Sequence, residues 1–280
     1  MRTAWAPDHQ RRYALVEGTD LLASATRYDL PATLDQRPVR VCGIGEVFTE
    51  PARRGGGRAR TLVDRLIADA ARKGAEMALV FGEGCDPPDG FDVLRVDDVE
   101  LSVAESPRHG APMTMVRGGE ARDLAAIVAM GQVRAGPFRF HLDRDADLIQ
   151  YAITNKRLLA GLGPSGARQL HFFIAEEGLT AAAYIVLSVV GDVWTIEECG
   201  DRDPSGARVG ALLQALIARE PAERRPSIRA WLPPGFMPPQ VTILSAAPAT
   251  EPMMVRFLGS TVGRPRLSGG DVLYWRSDVF

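Results

Sequence analysis

The sequence predicts an α/β protein built from two similar units in tandem, and three observations carry that expectation. Residues 46–81 read as a strand, a glycine-rich basic turn, an amphipathic helix and a buried strand. The same order returns downstream at a constant offset, with Leu62-Val63 opposite Leu212-Leu213 and Leu66-Ile67-Ala68 opposite Leu216-Ile217-Ala218. Between the two copies, residues 104–112 are polar and hold two prolines, as a domain boundary should. A repeat of one whole unit, in a chain of 280 residues, points to two similar domains; a solenoid of two repeats would be too short.

The elements follow in order. Residues 1–10 are expected to be a loose lead-in. Residues 12–16 and 21–28 alternate as two strands around the turn Glu17-Gly18-Thr19-Asp20. Residues 30–38, punctuated by Pro31 and Pro38, are expected to be a loop, and residues 39–49 a strand with room for a bulge near Gly43 and Gly45. Leu62, Val63, Leu66, Ile67, Ala70 and Ala71 then form the apolar stripe of a helix, which Arg72, Lys73 and Gly74 suit at its end. Residues 77–81 are a continuous apolar run, as in a strand buried on both faces.

After a turn-rich passage, residues 91–103 supply one or two strands. The second unit reads as a strand at 113–117, helices at 120–130 and 146–162, strands at 169–175, 181–190 and 193–199, a helix at 207–219 and a strand at 228–232. A proline-rich passage leads to a closing pair of strands near 253–258 and 272–275.

The chemistry lies in the turn Arg53-Arg54-Gly55-Gly56-Gly57-Arg58-Ala59-Arg60. Glycines without a Cβ let a ligand approach the backbone. The first turn of a helix presents N–H groups without intrahelical partners and a partial positive charge. Together they make an anion site suited to phosphate, and the arginine forks match phosphate oxygens. Two other phosphate loops fit poorly. A nucleotide P-loop ends in Gly-Lys-Ser/Thr, whereas this turn ends Gly57-Arg58-Ala59. The dinucleotide fingerprint begins at Gly43-Ile44-Gly45 but meets Phe48 where its third glycine belongs.

Composition excludes other classes. The net charge of -2 provides no general field for nucleic acid or an anionic membrane. No apolar run reaches membrane-spanning length, and the N-terminus has no signal-like core. Cys42, Cys85 and Cys199 are odd in number and widely spaced, which suits buried thiols in a reducing cytoplasm. The four histidines show no metal spacing, so no metal site is expected. Trp194, Trp231 and Trp275 are expected to be core or interface anchors.

Arg54-x-x-Gly57-x-Ala59, with Val47-x-Thr49-x-Pro51 upstream and Leu62 downstream, resembles the Q/R-x-x-G-x-G/A signature of the GNAT N-acetyltransferase superfamily. The resemblance implies two tandem GNAT-like domains, each a twisted mixed β-sheet flanked by helices. Residues 1–105 would be the acyl-CoA-binding domain, lacking the family's usual first strand and helices, and residues 112–280 a degenerate second one. It implies that Arg54, Gly55, Gly56, Gly57, Arg58 and Ala59 hold the pyrophosphate of acetyl-CoA, with Val47, Phe48 and Thr49 pairing with the pantetheine arm. In that family the strand before the loop is bent so that its neighbour splays away and admits the cofactor, and an amine attacks the thioester directly.

On that reading Glu46 is the candidate general base, with Glu50 beside it and Glu197 and Glu198 as the equivalent acids of the second unit. The offset places Arg54, Gly57 and Ala59 opposite Pro204, Ala207 and Val209, and adds Asp201 and Asp203, which would repel phosphates. Many family members also place a tyrosine after the following strand to protonate the leaving thiolate, and no tyrosine lies between Tyr28 and Tyr151. Either an upstream segment supplies the missing helices, or the second unit supplies the acceptor wall or a homodimer contact. Two functions follow: an N-acetyltransferase acting on a small-molecule or peptide amine, or a weakly catalytic acyl-CoA-binding module.

Overall fold

The computed structural model describes residues 4–82, 88–105, 115–164, 166–259 and 265–279. Cys85, His109 and most of the segment expected to divide the units lie outside the described residues. The chain runs α1 (Trp5–His9), β1 (Gln10–Glu17), β2 (Asp20–Leu34), β3 (Arg37–Thr49), α2 (Arg58–Arg72), β4 (Met77–Phe81), β5 (Asp92–Leu94), β6 (Asp97–Val103) and β7 (Met115–Gly118). It continues α3 (Leu124–Ala135), β8 (Phe140–Leu142), α4 (Ala146–Gly161), β9 (Gln169–Glu177), β10 (Thr180–Val190), β11 (Val193–Asp201), α5 (Ala207–Ile217), β12 (Ser227–Ala230), β13 (Val241–Pro248), β14 (Met253–Phe257) and β15 (Val272–Leu273).

These strands form two mixed sheets flanked by helices. One has the order β15-β8-β2-β3-β4-β14-β5 with β1 also on β2, the other β13-β6-β12-β11-β10-β9-β7. The repeated unit is visible in both. β2 and β3 form an antiparallel hairpin, α2 crosses, and β4 returns parallel to β3; β10, β11, α5 and β12 do the same.

The sheets also exchange a strand. β14 inserts antiparallel between β4 and β5, while β6 inserts antiparallel between β12 and β13. The apolar residues explain the crossing: Val99 and Leu101 join the core of the second sheet, and Met253 and Val255 that of the first. The segments 1–105 and 112–280 therefore do not each build a sheet from their own strands alone.

Helix α4 joins the two sheets. Its Leu148 and Tyr151 pack into the first core with Trp5, Tyr28 and Leu30, and its Ile149 and Ile153 pack into the second with Ile127 and Ile174. On the other face of the first sheet, Leu62, Leu66, Ile67 and Ala70 of α2 cover Ala23, Ala25, Cys42 and Ile44. Trp194, Trp231 and Trp275 are all buried.

Three local expectations are corrected. Residues 30–38 are not a loop: β2 and β3 pair continuously from Tyr28↔Gly43 to Leu34↔Arg37, and the turn is Asp35-Gln36, both at positive φ. Pro31 and Pro38 each cost the ladder one donor but sit within its register. The lead-in contains α1, anchored by the buried Trp5 stacked on His9. Strand β13 is an addition to the expected elements: it is exposed along nearly its whole length, and its pairing with β6 defines it.

Candidate functional site

The site begins where β3 leaves its neighbour. β3 pairs with β4 only from Val41↔Met77 to Ile44↔Val80, yet runs on to Thr49. From Gly45 onward it has β2 on one side and no strand on the other among the described residues, so its backbone groups on that edge are open. Opposite Ala25, between the pairs Thr26↔Gly45 and Ser24↔Phe48, Glu46 and Val47 form a bulge, with Glu46 at φ +50. The bulge turns the strand and adds twist where it parts from β4.

The open edge leads to the helix mouth. Gly57 is the N-cap of α2 at φ 67 and ψ 13, with no side-chain cap and no acidic residue in the first turn. The N–H groups at the start of this 15-residue helix therefore point at the cleft without a side-chain acceptor. Gly57 adopts the left-handed conformation, and an added Cβ would meet nothing within 4 Å, so the glycine is required by backbone conformation.

A cleft of about 480 Å³ is lined by Val47, Thr49, Arg53, Arg54, Gly55, Gly57, Arg58, Ala59 and Arg60. Phe48 and Gly56 do not line it; Phe48 alternates away from Val47 and Thr49 along the strand. Arg53 and Arg60 have carboxylate partners in Asp20 and Asp89, and Arg58 donates to the Arg53 carbonyl at 3.0 Å. Arg54 makes no ion pair among the described residues.

Glu46 faces the side of the sheet away from α2. Its Oε2 accepts from Thr26 Oγ1 at 2.6 Å and from Arg12 Nη2 at 3.3 Å. Tyr28 and Tyr151 belong to the core on that face, with ring centroids 6.5 Å apart, and Trp5 lies 4.8 Å from Tyr151. Burial raises both phenol pKa values and the nearby Glu46 charge adds to this, so both remain protonated at neutral pH. Residue order alone does not reveal this grouping, because Tyr151 arrives on α4 from the other unit.

The corresponding mouth in the second unit is closed. Gly206, at φ 74 and ψ 17, is the N-cap of α5, so the structural partner of Gly57 is Gly206 and not Ala207. The constant offset fails at this turn, because the second loop is shorter. Asp201 Oδ2 accepts from the backbone N–H of Arg208 at 2.7 Å and of Val209 at 3.0 Å. A carboxylate of the chain thus occupies the helix N-terminus where an anion would bind. Phe236 and Pro238 crowd Gly206, and the Arg134 guanidinium lies 4.3 Å from the Phe236 ring centroid while donating to the Pro204 carbonyl.

The acids of the second unit are also engaged. Glu197 pairs with Lys156 at 2.8 Å. Glu198 is fully buried and accepts from Tyr184, Arg144 and Ser277. Burial works against its charge, but Arg144 leads the contacts that hold its pKa below the ordinary range.

No protein-family model matches the chain, and no curated protein matches it by sequence. Solved structures match it by shape. A conserved protein of unknown function from Enterococcus faecalis V583, described as a probable N-acyltransferase, superposes with a TM-score of 0.64 at 13% identity, covering 90% of this chain and 63% of that one. A GCN5-related N-acetyltransferase from Kribbella flavida gives 0.60 at 18% identity, covering 88% of this chain and 59% of that one. This chain has the GNAT fold. It spans roughly three-fifths of those two structures' length, 63% and 59%. The N-myristoyltransferase of Saccharomyces cerevisiae, in a structure with bound myristoyl-CoA, is also similar, with a TM-score of 0.57 at 9% identity over 91% of this chain and 71% of that one. Within the GNAT fold, the first unit keeps the open edge and uncapped helix, and the second has filled both its helix mouth and its acid cluster with its own side chains.

Proposed function

We propose that the protein is an acyl-CoA-dependent N-acyltransferase whose first unit binds the acyl-CoA, acetyl-CoA being the donor the loop resemblance suggests. The observation that carries this reading is the continuity of the unpaired β3 edge with the uncapped N-terminus of α2. A diphosphate fits the N–H groups of α2 and the forks of Arg54 and Arg58. The pantetheine amides fit the free backbone groups from Val47 to Thr49. When bound, acyl-CoA supplies the thioester whose acyl group passes to the amine.

The acceptor side is the opposite face of the sheet. There Glu46, tethered by Thr26 and Arg12, can take a proton from an ammonium directly or through a water, while Tyr28 and Tyr151 are protonated donors beside it. The acceptor is a small-molecule or peptide amine, and α4 of the second unit forms part of its wall.

A second reading, an acyl-CoA-binding module with little turnover, is favoured by one observation. Both phenols are buried, so neither is openly presented to a leaving thiolate. Thiol release from acetyl-CoA over a panel of amines separates the two. Release that depends on an amine and falls tenfold or more in Glu46→Gln supports the enzyme. Coenzyme A binding with no release on any amine supports the module.

A further inference from the structure

Strand β13 ends the second sheet and is open on its outer side. β6 lies along one edge of it and, among the described residues, no strand lies along the other. All of its residues except Val241 are exposed, so backbone N–H and C=O groups face water along that edge. The other ends of the two sheets are protected. β5, β7 and β15 are only three, four and two residues long. β1, the other long edge, carries Arg11, Arg12 and Glu17. Shortness and charge are the usual means by which a sheet edge avoids pairing with another chain. β13 has neither: Val-Thr-Ile-Leu-Ser-Ala-Ala-Pro holds no charged residue. Only a bulge at Leu244 and the closing Pro248 interrupt it.

The edge continues into an apolar groove. A concavity of about 540 Å³ beside it is lined by Leu232, Pro233, Pro234, Phe236, Met237 and Ile243, and its two charged residues, Arg95 and Asp97, are of opposite sign. Ile243 is 48% exposed, Leu244 64% and Met237 41%, so the apolar surface is contiguous from the strand to the groove. The lack of charge selects the occupant. A two-fold contact sets one strand against its own copy, so a charge at its centre would face a like charge. A neutral strand meets itself without that cost, and a charged peptide would gain no ion pair from it. A two-fold axis perpendicular to the sheet also keeps Ile243 of both copies on the face where both grooves lie.

We propose that β13 pairs antiparallel with β13 of a second copy of this chain, which joins the two seven-stranded sheets into one and covers Met237, Ile243 and Leu244 of each copy. The contact uses no residue of the α2 cleft, so it is independent of acyl-CoA binding there.

Sedimentation velocity at rising concentration, up to about 100 µM, tests this, because the population of a dimer follows the concentration of its protomers. The expected result is a reversible shift from one chain to two. Ile243→Lys and Leu244→Lys bring like charges together across the two-fold axis, at positions already exposed in the single chain, and each should raise the dimer dissociation constant tenfold or more. Leu179→Lys alters an apolar residue 95% exposed in the turn between β9 and β10, and should leave the constant unchanged. Circular dichroism checks that each variant is folded. Hydrogen exchange on the unaltered protein decides if neither strand variant folds: amides within residues 242–247 should exchange more slowly as the dimer forms. A single chain throughout the range, a dimer of undiminished strength in both strand variants, an equal loss in Leu179→Lys, or no slowing at residues 242–247 overturns the proposal. Coenzyme A binding measured on the same samples reports separately on the first unit.

Discussion

At the scale of single residues, Asp201 and Gly57 divide the labour between two otherwise matching turns. Both helices start from a left-handed glycine, but only α5 has a carboxylate on its first N–H groups. Asp201→Ala should therefore destabilise the fold by about 0.5–2 kcal/mol, the usual worth of a helix cap, measured by chemical denaturation. It should not create a coenzyme A site, because Phe236 and Pro238 still crowd Gly206. Asp69 offers a test in pH. Lys73 and Tyr13, by hydrogen bonding, hold its carboxyl down to about 2. A depressed carboxylate pKa contributes stability that is present above the unfolded value and lost as pH falls through the folded one. The difference in melting temperature between the protein and Asp69→Asn should thus be steady at neutral pH and shrink as pH drops from about 4 towards 2. Burial pushes the Cys42 thiol up to about 12, so it should resist alkylation at pH 8 until the protein unfolds.

At the scale of elements, α2 is held by a narrow apolar stripe. Leu66 is 1% exposed against Ala23, Ala25 and Ile44. Leu66→Ala should cost about 2–5 kcal/mol in denaturant unfolding, the cavity it leaves adding to the lost burial. That stripe is also why α2 was legible in the sequence: Leu62, Leu66, Ile67 and Ala70 recur at helical spacing between a glycine turn and a glycine stop. The hairpins and α4 were legible for similar reasons of periodicity. β13 was not, since its fold is dictated by β6 and its side chains face outward. The extension of β2 through Pro31 was hidden because proline removes one donor without forbidding the strand conformation. Of the proposed site, the glycine turn is legible from residue type and spacing, and Glu46 is suggested only by the family resemblance. The tether of Glu46 to Thr26 and Arg12, and its neighbours Tyr28 and Tyr151, are not legible, because they are brought together across the sheet and from α4. From the sequence Asp201 signals only repulsion of phosphate; its capping bonds depend on a loop length that a fixed offset conceals.

At the scale of the whole molecule, the strand exchange makes the two sheets interdependent. Without β14, β4 and β5 lose the strand between them; without β6, β12 and β13 do. Removing either would leave unpaired edges and uncover apolar residues that pack with it, Leu79 and Leu94 in the first sheet or Ile228 and Val241 in the second. Calorimetric unfolding should therefore show one transition, and residues 1–105 expressed alone should not fold cooperatively; two separable transitions would contradict the interlocked arrangement. The same arrangement brings α4 beneath the sheet of the first unit, so the face that carries Glu46 is walled by both units. The most direct test of the central claim is calorimetric titration of coenzyme A into the protein and into Gly57→Glu. Saturable one-to-one binding that weakens tenfold or more in Gly57→Glu, with the variant still folded, is the expected result; undiminished binding in that variant would contradict it.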